Sequence, residues 1–458
     1  MVLACPLQRL MPGAFPAPRL VASSTPYRLD DPLAPPDLSI VGEEDMMELV
    51  VDRCAGLDVG KDEIVGCVRT PSLSGRGRAS ELRTFATFTS GLEQLAEWLT
   101  ANGVVEVVME ATGQYWKAIW YLLEDRGFDL KLVNAKHVKM VPGRKTDLAD
   151  AAWLAELLEH GLLRSSFVPP AEIRELRDLT RYRKRLIQTH TAEHQRVQKV
   201  LEDAGIKLDS VASDVLGMSG RLMLRALING ERDPEVLADL AQRSLRKKIP
   251  QLREALRGRF KDHHAVMLRV TLDHIDYLEQ AIAEMDAEID RVMIPFSEAR
   301  DRLDSIVGVG KRAAECIIAE IGVDMTRFPT AAHLASWAGV CPGNNITGGK
   351  RRSAVTNKGN RWLGEILNQS AIAASHTRDT YLAAQFWRLK RRIGHKKAAV
   401  AVGHSILVIC WHLLTNNCDY DDLGGDWFLR RTDTDKRRDF LIRQLHDLGY
   451  GVALTKVA

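Results

Sequence analysis

The sequence predicts an α/β domain with a mixed β-sheet, followed by an all-α region. Two observations lead to this prediction. Between residues 51 and 165, β-like segments come first and are then followed by strand–helix alternation, which is typical of a mixed sheet with helices on both faces. Beyond residue 165 the apolar positions recur at helical spacing, and the longest such segments are 171–205 and 262–294.

The elements of the first domain follow one another in a readable order. CAGLDVGKDEIVGCVRT predicts two strands joined by a turn at 59–62, and RTFATFTS extends the sheet. The chain then predicts a helix ended by Gly103, the buried strand VVEVVMEATG, a helix ended by Gly127, the buried strand DLKLVNA, and a helix capped by Thr146 and ended by Gly161. This order is that of the RNase H-like fold, in which the first strand lies centrally.

Changes in composition and periodicity mark five segments. The first is rich in proline and small residues, and we expect a disordered leader there, with Met46 or Met47 as an alternative start. The middle segment suits a coiled-coil hairpin or an ordinary helical bundle, because its heptads are irregular. The predicted boundaries are 1–50 for the leader, 51–165 for the α/β domain, 166–300 for the helical coiled-coil segment, 301–415 for a mostly helical C-terminal domain with long helices at 362–375 and 380–415, and 416–458 for a tail.

The composition limits the class of protein. Net charge is only +3, so a nucleic-acid-binding role has to rest on local basic clusters. The seven cysteines show no CxxC pair and no metal-ligand spacing, which predicts reduced, cytoplasmic thiols. We expect no membrane segment, because no apolar run approaches the ~20 residues that a spanning helix needs.

Four carboxylates are candidates for one site. Asp58 lies on the central strand, and Glu110 ends the strand VVMEATG. Ligands of open α/β sheets bind outside the carboxyl ends of the strands. The helix that carries Asp147 and Asp150 packs on that sheet, so its acids can point to the same crevice. Taken alone, the Asp-x-x-Asp pair is also compatible with helix capping and solvated charge.

Four clustered carboxylates repel one another unless cations neutralise them. Hard oxygen ligands of this kind favour Mg²⁺ or Mn²⁺, and two such ions clamp the attacking and leaving oxygens of a phosphodiester. A rival interpretation assigns GLDVGK to the phosphate loop of sugar kinases and actin-like ATPases. That class requires a second phosphate loop and an adenosine motif, and we find neither in the sequence.

A second candidate site is the basic, glycine-rich loop over 339–362, GVCPGNNITGGKRRSAVTNKGNRW. Its hydroxyls supply two candidate nucleophiles for attack on phosphorus, Thr347 and Ser353. The alternative is a solvated loop that only positions DNA. The cations expected to neutralise phosphates are Lys350, Arg351, Arg352, Lys358 and Arg361.

A third candidate site precedes this loop. IVGVGKRAA, in which Gly308, Gly310 and Lys311 follow a short helix, predicts a helix-hairpin-helix element. Such an element presents backbone N–H groups to a phosphate. The alternative is a plain contact between two helices.

The motifs GLDVGK, MEATG, KTDLADA, IVGVGKRAA, WAGVCPGNN, GGKRRS and KGNRWL occur in this order. Together they resemble the RuvC-like DEDD transposases of the insertion-sequence one-ten family, from about residue 51 to the end. The resemblance implies that Asp58, Glu110, Asp147 and Asp150 hold Mg²⁺. The family's nucleophilic serine precedes the Gly-Gly-Lys turn, and here Thr347 occupies that position, with Ser353 as the second candidate.

The resemblance also implies an activity and partners. Such enzymes excise and insert their own element through a circular intermediate, guided by a structured RNA that pairs with donor and target DNA. They act as homodimers or homotetramers, and a bacterial, nucleoid-associated location follows. Two other functions stay open from the residues: a hydrolytic RuvC-like nuclease such as a junction resolvase, and a nucleic-acid-binding protein with a degenerate site.

Overall fold

The computed structural model of the chain describes residues 49–72, 77–134, 138, 150–342, 346–347, 350–351, 356, 358–430 and 434–455. They form two compact units, and the division falls after Val168 in the sequence. One unit is a five-stranded sheet packed against helices, and the other is almost entirely helical. The predicted α/β domain followed by an all-α region is confirmed. The boundaries predicted at residues 300 and 415 stay predictions, and residues 1–48 of the predicted leader lie outside the described residues.

The first unit places its strands in the order β3-β2-β1-β4-β5. β1 is central, as predicted; β2 runs antiparallel to it and β4 parallel to it. Its elements are β1 Cys54–Val59, β2 Glu63–Pro71, β3 Arg78–Ala86, α1 Thr89–Ala101, β4 Glu106–Glu110, α2 Trp116–Asp125, β5 Asp129–Val133 and α3 Asp150–Glu159.

Alternation along β1 and β4 gives the sheet two buried faces. Leu57 and Met109 lie on one face, in a core shared with Leu95 of α1 and Ile119 of α2. Val108 lies on the other face, in a core shared with α3. Each fully buried side chain of this size contributes about 1.5–3 kcal/mol. Helices therefore cover both faces, as the strand–helix alternation predicted.

The second unit contains long helices joined by shorter ones and a small hairpin. Its elements are α4 Ala171–Asp203, α5 Met218–Ile228, α6 Pro234–Asp239, α7 Ile249–Ala255, α8 Asp262–Val292, α9 Ser297–Asp304, α10 Lys311–Ile321, α11 Ala331–Trp337, β6 Ile346–Thr347, β7 Lys350–Arg351, α12 Arg361–Ser375, α13 Tyr381–Ile393, α14 His395–Asn416, α15 Trp427–Arg430 and α16 Thr434–Asp447.

Helices α4 and α8 form the predicted antiparallel hairpin. Paired side chains run in opposite directions along them, from Arg183–Asp286 at one end to the 2.9 Å contact of Asp203 with His264 at the other. At that second end, α5, α6 and α7 share a buried core with the hairpin. The sequence analysis missed these three helices, because elements of 6 to 11 residues show too little periodicity.

Two predictions for the C-terminal helices were wrong. The single helix predicted over 380–415 is two helices, because Gly394 has a φ of 82° that ends α13 and begins α14. The expectation that no apolar stretch approaches membrane-spanning length also fails: α14 has 22 residues and a mean hydropathy of 1.8 in its best window. More than half of that window is buried within the protein, as in the core helix of a helical domain.

Candidate metal centre and nucleic-acid interface

Asp58 and Glu110 lie side by side at the carboxyl ends of two parallel strands. β1 and β4 pair in register up to Leu57 and Met109, and the two acids are the next residue on each strand. Paired residues on adjacent strands point to the same face, about 4.8 Å apart. The two carboxylates therefore leave the sheet on one face at one edge, and both are half-buried.

Helix α3 crosses this same face antiparallel to β1. Its end lies at the start of the strand, where the Val51 N–H donates to the Glu159 carbonyl at 3.1 Å. Its first turn reaches Gly56, where a Cβ would overlap the Ala151 carbonyl oxygen, so only glycine permits this approach. Asp150 comes one residue before Ala151, toward the Asp58 end of β1. Its Oδ1 is shielded from solvent.

The structure thus places Asp58 and Glu110 at one edge of the sheet, and Asp150 begins the helix that crosses the same face. Among the described residues, the group of three metal-ligating side chains within 4.8 Å of one another is Asp203, His263 and His264, so these three acids do not close into a ligand set; Asp147 lies outside the described residues. Their donor set consists of carboxylate oxygens, which suits Mg²⁺ or Mn²⁺. Cations described on the same face pair with acids at the opposite end of the strands: Arg69 with Glu159, and Lys131 with Glu106. The carboxylate oxygens of these residues are ligands of the kind that a divalent ion prefers.

Thr347 lies at the end of a short hairpin strand. In β6 and β7, Ile346 pairs with Arg351 and Thr347 pairs with Lys350. A further bridge between Pro342 and Thr356 extends the pairing. The structure places the backbone of Thr347 immediately before the turn. The side chains of Thr347, Lys350 and Arg351, and all of Arg352 and Ser353, lie outside the described residues.

Helices α9 and α10 flank the segment predicted as a helix-hairpin-helix, and its two glycines differ. Gly308 has a φ of 85°, and a Cβ there would lie 2.6 Å from the Ala374 nitrogen of α12. Gly310 has open space around its Cα and precedes the first turn of α10. Gly308 therefore lets the hairpin pack on α12, while Gly310 is on the accessible side.

Substitution of these two glycines should have opposite consequences for stability. Gly308→Ala is expected to lower the free energy of unfolding by about 2–4 kcal/mol, because it adds left-handed strain and an overlap with α12. Gly310→Ala is the matched control, with an expected loss below about 1 kcal/mol. Urea denaturation measures both, and equal losses would contradict this role for Gly308.

Lys311, the cation predicted to contact phosphate at this hairpin, is paired with an acid. Its Nζ lies 2.9 Å from Oδ1 of Asp290 on α8, and the hydrogen bond from Lys311 holds the pKa of Asp290 below its usual range. Arg312 contacts the same carboxylate at 3.1 Å. A phosphate at Lys311 would compete with Asp290 for this ammonium group.

Buried Glu320 joins three helices, and the sequence analysis did not identify it. Arg181 of α4 donates to both its oxygens, at 2.7 and 2.8 Å, and Arg177 donates to the carbonyl oxygens of Ala319 and Glu320 at the end of α10. Burial lowers the pKa of Arg177 to about 10. Asn360 donates to Glu320 at 2.6 Å and caps α12 by accepting from the Leu363 N–H. The end of the basic loop is thereby fixed to α4.

Loss of the Glu320 carboxylate should destabilise the helical unit strongly. Glu320→Ala is expected to cost about 3–5 kcal/mol, because it leaves two half-buried guanidinium groups without their buried counter-charge. Glu298→Ala is the matched control: its ion pair with Arg302 is exposed, so we expect about 0–1 kcal/mol. Chemical denaturation of the two variants measures the difference, and similar midpoints would contradict the assignment.

The remaining predicted phosphate contacts lie on the surface near α12. Lys358 is exposed, and Arg361 is 81% exposed and pairs with Glu365 at 3.0 Å. Next to Arg361, the ring of Trp362 makes cation–π contacts with Arg181 and Lys184 of α4, whose charged groups each lie 5.5 Å from the ring centroid. A further exposed basic group surrounds the break between α13 and α14 and consists of Arg391, Arg392, Lys396 and Lys397.

Two family models match the chain on these same elements. The transposase model DEDD_Tnp_IS110 matches residues 55–206, and the model described as Transposase IS116/IS110/IS902 family matches residues 300–388. Together they span more than half of the sequence. The chain belongs to the IS110 family of transposases. The first match contains the strand acids and α3 of this transposase, and the second contains the helix-hairpin-helix and the basic loop.

Individual relatives agree with this family. The IS110-family transposase is 26% identical over 322 residues to a probable family 20 transposase of Pseudomonas aeruginosa, covering 69% of this chain and 85% of that protein. It is 25% identical over 320 residues to the transposase for insertion sequence element IS1111A of Coxiella burnetii, covering 69% and 79%. Transposases act on DNA, so DNA is the partner class of this enzyme.

Proposed function

We propose that this transposase cuts and rejoins DNA strands at the ends of its insertion sequence, with two Mg²⁺ ions, or Mn²⁺ in their place, bound by Asp58, Glu110, Asp147 and Asp150. One observation carries the proposal: two carboxylates occupy adjacent in-register positions at the carboxyl ends of β1 and β4, and the first turn of α3 lies against Gly56, two residues before Asp58. Neighbouring carboxylates repel each other, and bound cations relieve that repulsion.

The residues divide the chemistry between them. When bound, the ions would stabilise negative charge on the scissile phosphodiester. The Thr347 hydroxyl attacks phosphorus and loses its proton, so a threonyl–phosphate ester forms and a DNA hydroxyl leaves. In the reverse reaction a DNA hydroxyl attacks the threonyl–phosphate ester, which joins the DNA strands and restores the free hydroxyl of Thr347. Ser353 is the second candidate nucleophile, and the neighbouring cations Lys350, Arg351 and Arg352 neutralise flanking phosphates.

The proposal includes an RNA guide, a homodimer or homotetramer, and action in the bacterial cytoplasm at the nucleoid. The family membership and the motif order support these parts. The exposed basic residues after α13 and at the start of α14 offer further contacts for a nucleic-acid backbone.

The direct test supplies the full-length protein with duplex DNA that carries the element's ends, the transcript of its flanking non-coding DNA, and Mg²⁺. We expect cut and rejoined DNA strands, and none in EDTA. Products that form equally well in EDTA would contradict the metal-dependent mechanism. Equal products with and without the transcript would contradict RNA guidance alone.

A further inference from the structure

The helical unit contains a cavity of about 190 Å³ beside the basic loop, and the contacts described above for Asn360 and Arg361 in its wall do not explain it. It lies between the first turns of α12 and the middle of α14, and it is open to solvent on one side. At ~30 Å³ for each water it has room for about six water molecules, a volume comparable to that of one nucleobase.

Small residues create this space. Gly364 of α12 and Gly403 of α14 lie in the wall, and nothing comes within 4 Å of a Cβ built on Gly364. A side chain added at Gly364 would therefore begin in open space within the wall of the cavity. Val340, Leu367 and Val400 supply apolar surface. Such walls suit the faces of a flat ring.

Polar side chains also line the cavity, next to its apolar walls. Asn368 is half-buried, and its amide makes no hydrogen bond with any part of the chain that the structure describes. An amide offers one donor and one acceptor side by side, which matches the edge of a nucleobase. Thr356, which lines the cavity, belongs to the same pairing as the Thr347 hairpin. Arg361 also lines the cavity and has an exposed side chain, and Lys358, which is not in the lining, is exposed as well.

We propose that this cavity binds one unpaired base of the DNA strand, with Asn368 on the edge of the base and the cations on the adjoining phosphates. The inference rests on the proposed function, because it takes DNA as the substrate of the basic loop. A base inside a duplex cannot enter such a cavity, so only a base that has left the stack is bound there. The cavity would hold a distorted strand in place next to Thr347.

The test measures binding without cleavage, in EDTA, with three DNA probes. One duplex carries a single unpaired adenine, the second has an abasic residue at that position, and the third is fully paired. The wild-type protein is expected to prefer the unpaired adenine over the abasic residue roughly tenfold, the range that base contacts give in single-strand binding. Gly364→Leu is expected to remove this preference while leaving affinity for the paired duplex unchanged.

Three further variants make the result specific. Asn368→Ala should reduce the preference severalfold, and Gln369→Leu, an exposed neighbour outside the cavity, should retain it in full. Asp58→Asn should also retain it, so failure of the metal chemistry and failure of the cavity are separate results. A preference that is absent from the wild type, that survives Gly364→Leu, or that occurs only on RNA versions of the probes would overturn the proposal.

Discussion

Asp58→Asn is expected to abolish Mg²⁺-dependent DNA cleavage, by about a thousandfold or more. The variant keeps the size of the side chain and removes a charge beside Glu110, at the carboxyl end of the central strand. Loss of several kcal/mol of charge stabilisation reduces the rate tenfold for each 1.4 kcal/mol. Glu110→Gln and Asp150→Asn should have comparable effects. A nicking assay on labelled duplex DNA measures them.

The matched control is Asp62→Asn, an exposed aspartate in the turn between β1 and β2. It should cut DNA at the wild-type rate. Thermal melting should show all four variants folded. Cleavage by Asp58→Asn at near the wild-type rate would mean that the sheet edge is not the reaction centre. The degenerate, DNA-binding function would gain support if the parent protein cut nothing.

Thr347→Ala is expected to eliminate the covalent protein–DNA adduct, because it removes the proposed attacking oxygen. Thr347→Ser should retain the adduct and form it faster, since the threonine methyl group crowds the phosphorus. A suicide substrate that releases its short leaving strand traps the adduct, which denaturing gels detect. We expect at least a hundredfold loss for Thr347→Ala.

The control for this series is Ser353→Ala, which should form the adduct at the wild-type rate. If the adduct persists in Thr347→Ala and disappears in Ser353→Ala, Ser353 is the nucleophile instead of Thr347. Strand cleavage without any adduct in the parent protein would favour hydrolysis by water, the chemistry of a junction-resolving nuclease.

The sheet and its acids were accessible from the sequence for a physical reason. The local pattern located the strands of Asp58 and Glu110, and the order of strands and helices predicted that the first strand is central, so the two acids could be assigned to one edge of the sheet. The approach of α3 depends on Gly56, which the sequence shows only as one glycine among many. The observed strand order confirmed that β1 is central, and the pairing register showed that Asp58 and Glu110 are at equivalent positions on β1 and β4.

Other features depend on contacts between residues far apart in the sequence. Glu320 lies in an apolar helix, and the two arginines that contact it come about 140 residues earlier in the sequence. No local pattern therefore predicts this group of hydrogen bonds. Asn360 carried a usable signal, because an asparagine before a helix predicts a cap. Gly394 separates the basic end of α13 from the apolar α14, and its φ of 82° could not be read from the sequence. The sequence likewise predicted the charges of the basic loop, but not the contact of Asn360 with Glu320 that fixes the end of the loop.

Titration of Mn²⁺ against the full-length protein with duplex DNA, followed by electron paramagnetic resonance of the free ion, tests the central claim most directly. We predict that the wild type removes about two ions per chain from solution. Asp58→Asn and Asp150→Asn should bind fewer, and Asp62→Asn should match the wild type. Equal Mn²⁺ binding by all four proteins would contradict a metal centre at the edge of this sheet.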